Sequence, residues 1–169
     1  MSKEKQKKKG KYWVKIPWIK DGWYYTKNLN PYNNKVGDCA IRAIMAFCKC
    51  TNKSSWYRIY SNLFALAIEK DTNSRNKDII KELLDKTLET EIIIDPYKGK
   101  KSYDPELDKQ ISIKDFMKQN PTGNYFVILY RTWSESHALC IRDKVICDYN
   151  TNYNGEEKIV WAAKEIKKR

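Results

Sequence analysis

Residues 37–48 read GDCAIRAIMAFC and predict a helix that is buried on nearly all of its sides. Asp38 is a residue type that caps helix N-termini, and only Arg42 interrupts the apolar run from Cys39 to Cys48. A helix without a polar face has to lie inside the core of the protein. The sequence therefore predicts that Cys39 stands at the N-terminus of a buried helix.

Cys39 has the position that a nucleophilic thiol needs. A thiol attacks as its thiolate, and the free N–H groups and positive dipole end of a helix stabilise a thiolate. The chain has five cysteines, and the other four lie on predicted apolar faces or strands: Cys48, Cys50, Cys140 and Cys147. A role as a small apolar core residue is the ordinary one for a free cysteine, and it remains the alternative for Cys39.

Two further helices are predicted downstream of this one. The first starts near Ser54 or Ser55, and the second starts near Asn73 or Ser74. Apolar residues recur at steps of three and four in both, which gives each helix one apolar face. These residues are Trp56, Ile59, Tyr60, Leu63, Phe64 and Ala67 in the first helix, and Ile79, Ile80, Leu83, Leu84 and Leu88 in the second.

The C-terminal third changes from helix to strand. Residues 95–110 are polar and predict a long surface loop, after which Ser112 caps a short helix that runs through Gln119. Three strands are predicted after it: a central strand at 125–130 (YFVILY), and two more at 136–141 and 144–149, joined by Arg142-Asp143. Helices that precede strands in this way are typical of the α+β class.

His137 is the only histidine in the chain, and it lies just before the predicted hairpin turn. If Arg142 and Asp143 form a two-residue loop, His137 faces Asp148 across the two strands, on the same side of the sheet. A carboxylate there can hold the imidazole in one tautomer. A shift of the turn by one residue puts Asn150 opposite instead, so Asn150 is the second candidate. Structural roles for His137 and Asp148 also remain open.

An acyl-transfer site also needs donors for the oxyanion. The backbone N–H of Cys39 is one candidate. A side-chain amide shortly before the nucleophile is another, and Asn33 stands six residues ahead of Cys39 and Asn34 five residues ahead.

The ordered set Asn33, Cys39, His137 and Asp148 resembles the site of papain-like cysteine peptidases. The chain is closer still to small papain-fold proteins of bacteria and their phages, and bacteriocin-processing peptidases are more distant kin. Those small proteins carry an Asp-Cys pair and a following Arg-Ala, as in residues 38–39 and 42–43 here. They also carry a helix that leads to Pro-x-Gly-x-Tyr and a strand, as in SIKDFMKQNPTGNYFVILY at residues 112–130.

The resemblance covers residues 28–152 and carries three departures. Asn33 stands where papain-like enzymes usually have Gln, Ser136 where Gly is expected, and Asn150 where an aromatic residue often follows the third member. The resemblance implies a nucleophile helix packed on a C-terminal antiparallel sheet. It also implies hydrolysis of a peptide or isopeptide bond of a protein substrate through an acyl-thioester, with no cofactor.

The N-terminal part suggests an alternative to catalysis. Residues 1–11 carry six lysines and predict a flexible basic tail, and residues 12–169 are expected to form one domain. The stretch YWVKIPWIKDGWYYT at residues 12–26 predicts an aromatic hairpin that turns at Asp21-Gly22. With a net charge of +12, a basic aromatic surface suits nucleic acid or an acidic protein. A catalytically weak, phage-derived binding or structural protein is therefore the second hypothesis.

The expected location is the cytoplasm of a bacterium or of a phage-infected host cell. An odd number of cysteines favours free thiols in a reducing compartment, and no apolar run is long enough to span a membrane. Cys48 and Cys50 with one histidine leave too few ligands for a zinc site, so no metal is expected.

Overall fold

The computed structural model describes residues 38–50, 52–73, 76–98, 106–132, 135–148 and 153–166. The basic tail, the predicted hairpin at 12–26, Asn33, Asn34 and Asn150 lie outside the described residues. The helices are α1 (Cys39–Cys48), α2 (Lys53–Glu69), α3 (Lys77–Thr87) and α4 (Ile113–Gln119), with a short 3-10 helix at Leu107–Lys109. The strands are β1 (Thr90–Ile94), β2 (Asn124–Thr132), β3 (Glu135–Arg142), β4 (Val145–Cys147) and β5 (Ile159–Glu165).

The five strands form one antiparallel sheet in the order β1-β5-β2-β3-β4. β2 is the central strand, as its apolar sequence predicts. The combination of helices with an antiparallel sheet confirms the predicted α+β class. Within the described ranges, no helix has both the length and the apolar character that crossing a membrane requires.

Helices cover both faces of the sheet. On one face, α1, α2 and α3 pack against inward residues of the strands that include Phe126, Cys140 and Trp161. On the other face, α4 packs through Phe116 and its neighbours against residues that include Leu139. Alternate residues of β3 therefore enter different clusters, because successive side chains of a strand point to opposite faces.

Helix α1 is buried along its length, as predicted, with every residue from Ile41 to Phe47 withdrawn from solvent. It lies against β3 and β2 on one side and against α2 and α3 on the other. Its C-terminus closes with Lys49 in the left-handed conformation, whose N–H donates to the Ala46 carbonyl, and the N–H of Cys50 reaches back to Met45.

Two polar side chains from the sheet satisfy the last carbonyls of α1. The Arg142 guanidinium donates to the carbonyls of Ala46 and Phe47, both at 3.1 Å, and the Asn124 amide donates to Phe47 at 2.8 Å. Arg142 also donates to Asn124 Oδ1 at 3.0 Å. A cation is favourable here because it lies at the negative end of the helix dipole. Arg142 is thus a structural residue of β3.

The hairpin between β3 and β4 corrects the predicted turn. Its two central residues are Asp143 and Lys144, with φ of 48° and 63°, and Arg142 pairs with Val145 inside the ladder. Asp143 suits a turn with positive φ because its short polar side chain tolerates that conformation. It is also tied to Gly123, whose N–H donates to Asp143 Oδ1 at 2.8 Å. The strand predicted at 144–149 is observed as Val145–Cys147.

Several helix details also differ from expectation. Asn52 caps α2 and Asn76 caps α3, each accepting a backbone N–H, so both caps lie two or three residues from those predicted. Phe64 is 43% exposed, and Leu66 takes its place on the buried face. α2 packs against both α1 and α3, and Leu66 lies on the face that these helices cover. β1, β5 and the 3-10 helix are not predicted by the sequence.

We expect Arg142→Met to destabilise the protein by roughly 2–4 kcal/mol, because the last carbonyls of α1 and Asn124 lose a buried charged donor. Urea denaturation measures this. The matched control is Arg58→Met on the exposed side of α2, which should change the free energy of unfolding by about 0.5 kcal/mol or less. Equal effects of the two substitutions would contradict the structural role of Arg142.

Candidate active site

Cys39 is the first residue of α1 and is partly exposed to solvent. The first four N–H groups of a helix have no partner within it, so the Cys39 N–H points out of the helix end together with its neighbours. Ala40 and Cys39 border the apolar cluster beneath them. The thiol therefore stands where the buried helix meets the surface.

Asp38, which precedes the thiol, does not cap the helix through its side chain as predicted. Its carboxylate instead binds two side chains: Oδ1 lies 2.8 Å from Arg42 Nε, and Oδ2 accepts the Trp56 indole N–H at 3.0 Å. All three residues are buried. Arg42 lies one turn along the same helix and so neutralises the carboxylate next to Cys39, while Trp56 ties the start of α1 to α2.

His137 and Asp148 are in direct contact, with 2.6 Å between Nε2 and Oδ2. Their exposed fractions are 8% and 5%, so the bond is shielded from water. The turn lies one residue further along the chain than predicted, so each residue of β3 pairs with a residue two positions further along the next strand. A shift of two positions keeps Asp148 on the predicted face of the sheet. In the observed register Asp148 follows Cys147 and comes opposite Leu139, diagonally across from His137.

A second hydrogen bond joins His137 to the thiol of Cys39. Because Asp148 holds Nε2, Nδ1 is the ring nitrogen that remains for the sulfur. The backbone N–H of Ala138, the next residue of β3, also hydrogen-bonds the sulfur. The structure thus brings three of the four predicted site residues into one connected chain, Cys39–His137–Asp148.

The electrostatics of this chain favour a thiolate–imidazolium pair. Burial raises the pKa of the Cys39 thiol, but hydrogen bonds from His137 and Ala138, with the positive charges of His137 and Arg42, outweigh burial and lower that pKa below 9.0. Burial lowers the pKa of His137, but the contacts with Asp148 and Cys39 raise it to about 9. The two shifts have opposite signs, as an ion pair requires.

The other thiols differ from Cys39 in their surroundings. Burial raises the pKa of Cys48 to about 12, and the nearby Cys50 adds to the rise. Burial and the neighbouring Cys147 raise the pKa of Cys140 well above its ordinary value. Cys140 and Cys147 face each other across β3 and β4 in the core, as the apolar interpretation predicts.

Tyr153 is a site residue that the sequence did not single out. Its hydroxyl donates to Asp148 Oδ2, and the residue is only 2% exposed. The signal available was a tyrosine five residues beyond the candidate carboxylate, which is too common a feature to be informative. Asn33, the predicted oxyanion donor, lies outside the described residues, as does Asn150.

Comparisons with protein-family models, with curated proteins and with solved structures gave no significant match. No group of three or more metal-ligating side chains occurs among the residues that the structure describes. Any functional proposal for this chain therefore depends on the geometry of Cys39, His137 and Asp148.

We expect Cys39 to react fastest of the five thiols with iodoacetamide near pH 6, since its lowered pKa gives the largest thiolate fraction there. Peptide mapping by mass spectrometry after a brief exposure measures each site. Cys48 and Cys140 should label slowest. In urea-unfolded protein the five rates should converge, which serves as the control. Labelling of Cys147 as fast as Cys39 in the folded protein would contradict the expectation.

Proposed function

We propose that this chain is a cysteine hydrolase that cleaves a peptide or isopeptide bond through an acyl-thioester. The observation that carries the proposal is the hydrogen-bonded chain Cys39–His137–Asp148 at the N-terminus of a buried helix. A nucleophile bonded to a base, with the base oriented by a third group, is the arrangement that nucleophilic catalysis requires.

In the acylation step the Cys39 thiolate attacks the carbonyl carbon of the scissile bond and forms a tetrahedral oxyanion. His137, as imidazolium, gives its Nδ1 proton to the leaving nitrogen when the C–N bond breaks. The products are an amine and a thioester on Cys39. Because His137 is already protonated in the resting pair, no separate base is needed to activate the thiol.

In the deacylation step, neutral His137 takes a proton from water, and the resulting hydroxide attacks the thioester carbonyl. The C–S bond then breaks, which releases a carboxylic acid and restores the thiolate beside the imidazolium. Asp148 keeps its negative charge throughout. It holds the proton of His137 on Nε2 and so keeps Nδ1 directed at the thiol.

The oxyanion lies next to the N-terminus of α1 during both steps. The backbone N–H of Cys39 is free of helical partners and is one donor in the proposal. Asn33 is proposed as the second donor on the strength of its spacing from Cys39. The positive end of the α1 dipole adds to the stabilisation of both the thiolate and the oxyanion.

The proposed arrangement is papain-like. Three features support it: the nucleophile opens a buried helix, that helix packs on one face of an antiparallel sheet, and the histidine lies on β3 while the acid directly follows β4. The chain order Cys39, His137, Asp148 is also the papain-like order. Protein or peptide substrates follow from the same proposal.

The binding hypothesis has one observation in its favour, the net charge of +12 with six lysines in residues 1–11. Charge of this kind favours acidic partners at any site on the surface. It is compatible with catalysis, because an acidic protein can be the substrate. The partial exposure of Cys39 and its bond to His137 favour hydrolysis as the first proposal.

Incubation of the protein with a proteome-derived peptide library, read by mass spectrometry, tests the activity. Wild type should generate new peptide termini, and Cys39→Ala should generate none. Asp148→Asn should lower kcat on the order of 100-fold or more, because an amide can stabilise the wrong imidazole tautomer. Asn150→Ala should cost much less. Cleavage by Cys39→Ala would contradict the role of Cys39. A larger loss of kcat in Asn150→Ala than in Asp148→Asn would contradict the role of Asp148.

The pH dependence of cleavage has a defined sign. Activity should fall on the acid side as Cys39 takes up a proton, at a pH below 9.0, since its pKa is lowered. Activity should fall on the alkaline side as His137 loses its proton, around pH 9, since its pKa is raised. Initial rates measured from pH 4 to pH 10 should give a bell-shaped curve. An alkaline limb near the ordinary histidine value of about 6.5 would show that Asp148 does not stabilise the imidazolium.

A further inference from the structure

Tyr153 contacts the same carboxylate oxygen that binds the histidine. Its hydroxyl donates to Asp148 Oδ2, and His137 Nε2 lies 2.6 Å from that oxygen. The tyrosine ring is packed in the apolar cluster on the α4 side of the sheet, among residues that include Phe116 and Leu139. The hydroxyl is therefore held in place by its ring, and water does not compete for the carboxylate.

The hydrogen bond from Tyr153 acts on a carboxylate that lies just beyond the end of its strand. β4 ends at Cys147, and the last ladder pair on that side joins Cys147 to Cys140. In the observed register Asp148 comes opposite Leu139 and not opposite His137, so its side chain has to reach diagonally along the sheet. A carboxylate beyond the end of a strand has rotational freedom that a second hydrogen bond can remove.

We infer that Tyr153 is a positioning residue of the proposed hydrolase: its hydroxyl fixes Asp148 Oδ2 on His137 Nε2 and so keeps the imidazolium beside Cys39. The inference rests on the proposed function for its catalytic meaning. Tyr153 acts through Asp148 and is assigned no contact with substrate. Burial and the negative charge of Asp148 raise the pKa of Tyr153, so the hydroxyl remains a donor over the whole working pH range.

The charged and titratable groups near His137 and Tyr153 come from several elements of the fold. Cys39 from α1 and Asp148 after β4 face His137, and Arg42 lies near Cys39. Arg131 and Glu157 act on Tyr153 with opposite sign. Tyr153→Phe leaves the chemical identity of all these groups unchanged, so a change in the titration of His137 reports the loss of the hydroxyl and its effect on Asp148.

Tyr153→Phe is the test variant, because it keeps the ring in the core and removes only the hydroxyl. His137 is the only histidine in the chain, so its ring signals in NMR can be assigned without ambiguity. In wild type His137 should titrate at about 9. In Tyr153→Phe the carboxylate loses one of the groups that direct its Oδ2 atom at the ring, so the pKa of His137 should fall by about one unit or more.

Tyr125→Phe is the matched control. Tyr125 is also buried in the α4-side cluster, and its hydroxyl donates to the Thr122 carbonyl at 2.8 Å, away from the site. Its loss should leave the titration of His137 unchanged. In an Asp148→Asn background, Tyr153→Phe should have no further effect on His137. An unchanged or upward-shifted titration in Tyr153→Phe overturns the inference, because positioning requires a downward shift.

A second measurement needs no variant. In wild type the hydroxyl proton of Tyr153 should exchange slowly and show a nuclear Overhauser effect to the Nε2 proton of His137, since both protons point at one oxygen. Absence of that effect in the folded protein also overturns the inference. The proposed function and the inference can fail independently of each other. If wild type cleaves no peptide in the library, hydrolysis is refuted. The titration of His137 still decides whether Tyr153 positions Asp148.

Discussion

The burial of α1 from Ile41 to Phe47 is the constraint on which the rest of this structure depends. A buried helix has to satisfy the polar groups at both of its ends inside the protein. At the C-terminus, Arg142 and Asn124 reach from the sheet to the last carbonyls. At the N-terminus, the first backbone N–H groups have no partner within the helix, and the charge of Asp38 is neutralised by Arg42. The N-terminal end, which carries Cys39, is the end at which the chemistry is proposed.

β3 contributes a side chain at each end of this helix. β3 carries His137 at the Cys39 end and Arg142 at the Phe47 end. The two strand residues are roughly 17 Å apart at about 3.4 Å per residue, and α1 covers roughly 12 Å between Cys39 and Phe47. The long side chain of Arg142 spans the difference. Anchoring at one end therefore fixes how far the thiol at the other end lies from the imidazole.

The sequence predicts the parts of this arrangement that depend on local patterns. The bounds of α1 follow from its apolar run, and β2 from YFVILY. The contact between His137 and Asp148 was predicted although the turn was misplaced. A shifted turn moves the register by two residues and keeps both side chains on one face of the sheet. The error placed Asp148 directly opposite His137, whereas it reaches the imidazole diagonally.

Other features depend on contacts that no local pattern encodes. Arg142 looked like a turn residue because it precedes Asp143, yet its partners lie more than ninety residues away at the end of α1. Asp38 looked like a helix cap, but the indole of Trp56 binds one of its oxygens and Arg42 the other. Tyr153 carries no sequence signal, since its role arises only when folding brings its ring beneath Asp148.

The cost of burying these groups bears on whether His137 has a structural or a catalytic role. Withdrawing a charged pair from water costs several kcal/mol per ion, and apolar replacements of a buried ion pair are often neutral or stabilising. The two apolar clusters on either side of the sheet already supply a core without the pair. A structural histidine needs one partner for its ring, and Asp148 supplies it. A structural histidine does not need the further bond to a thiol that is partly exposed and lies at a helix N-terminus. The same three features are those on which the proposed nucleophilic role of Cys39 rests.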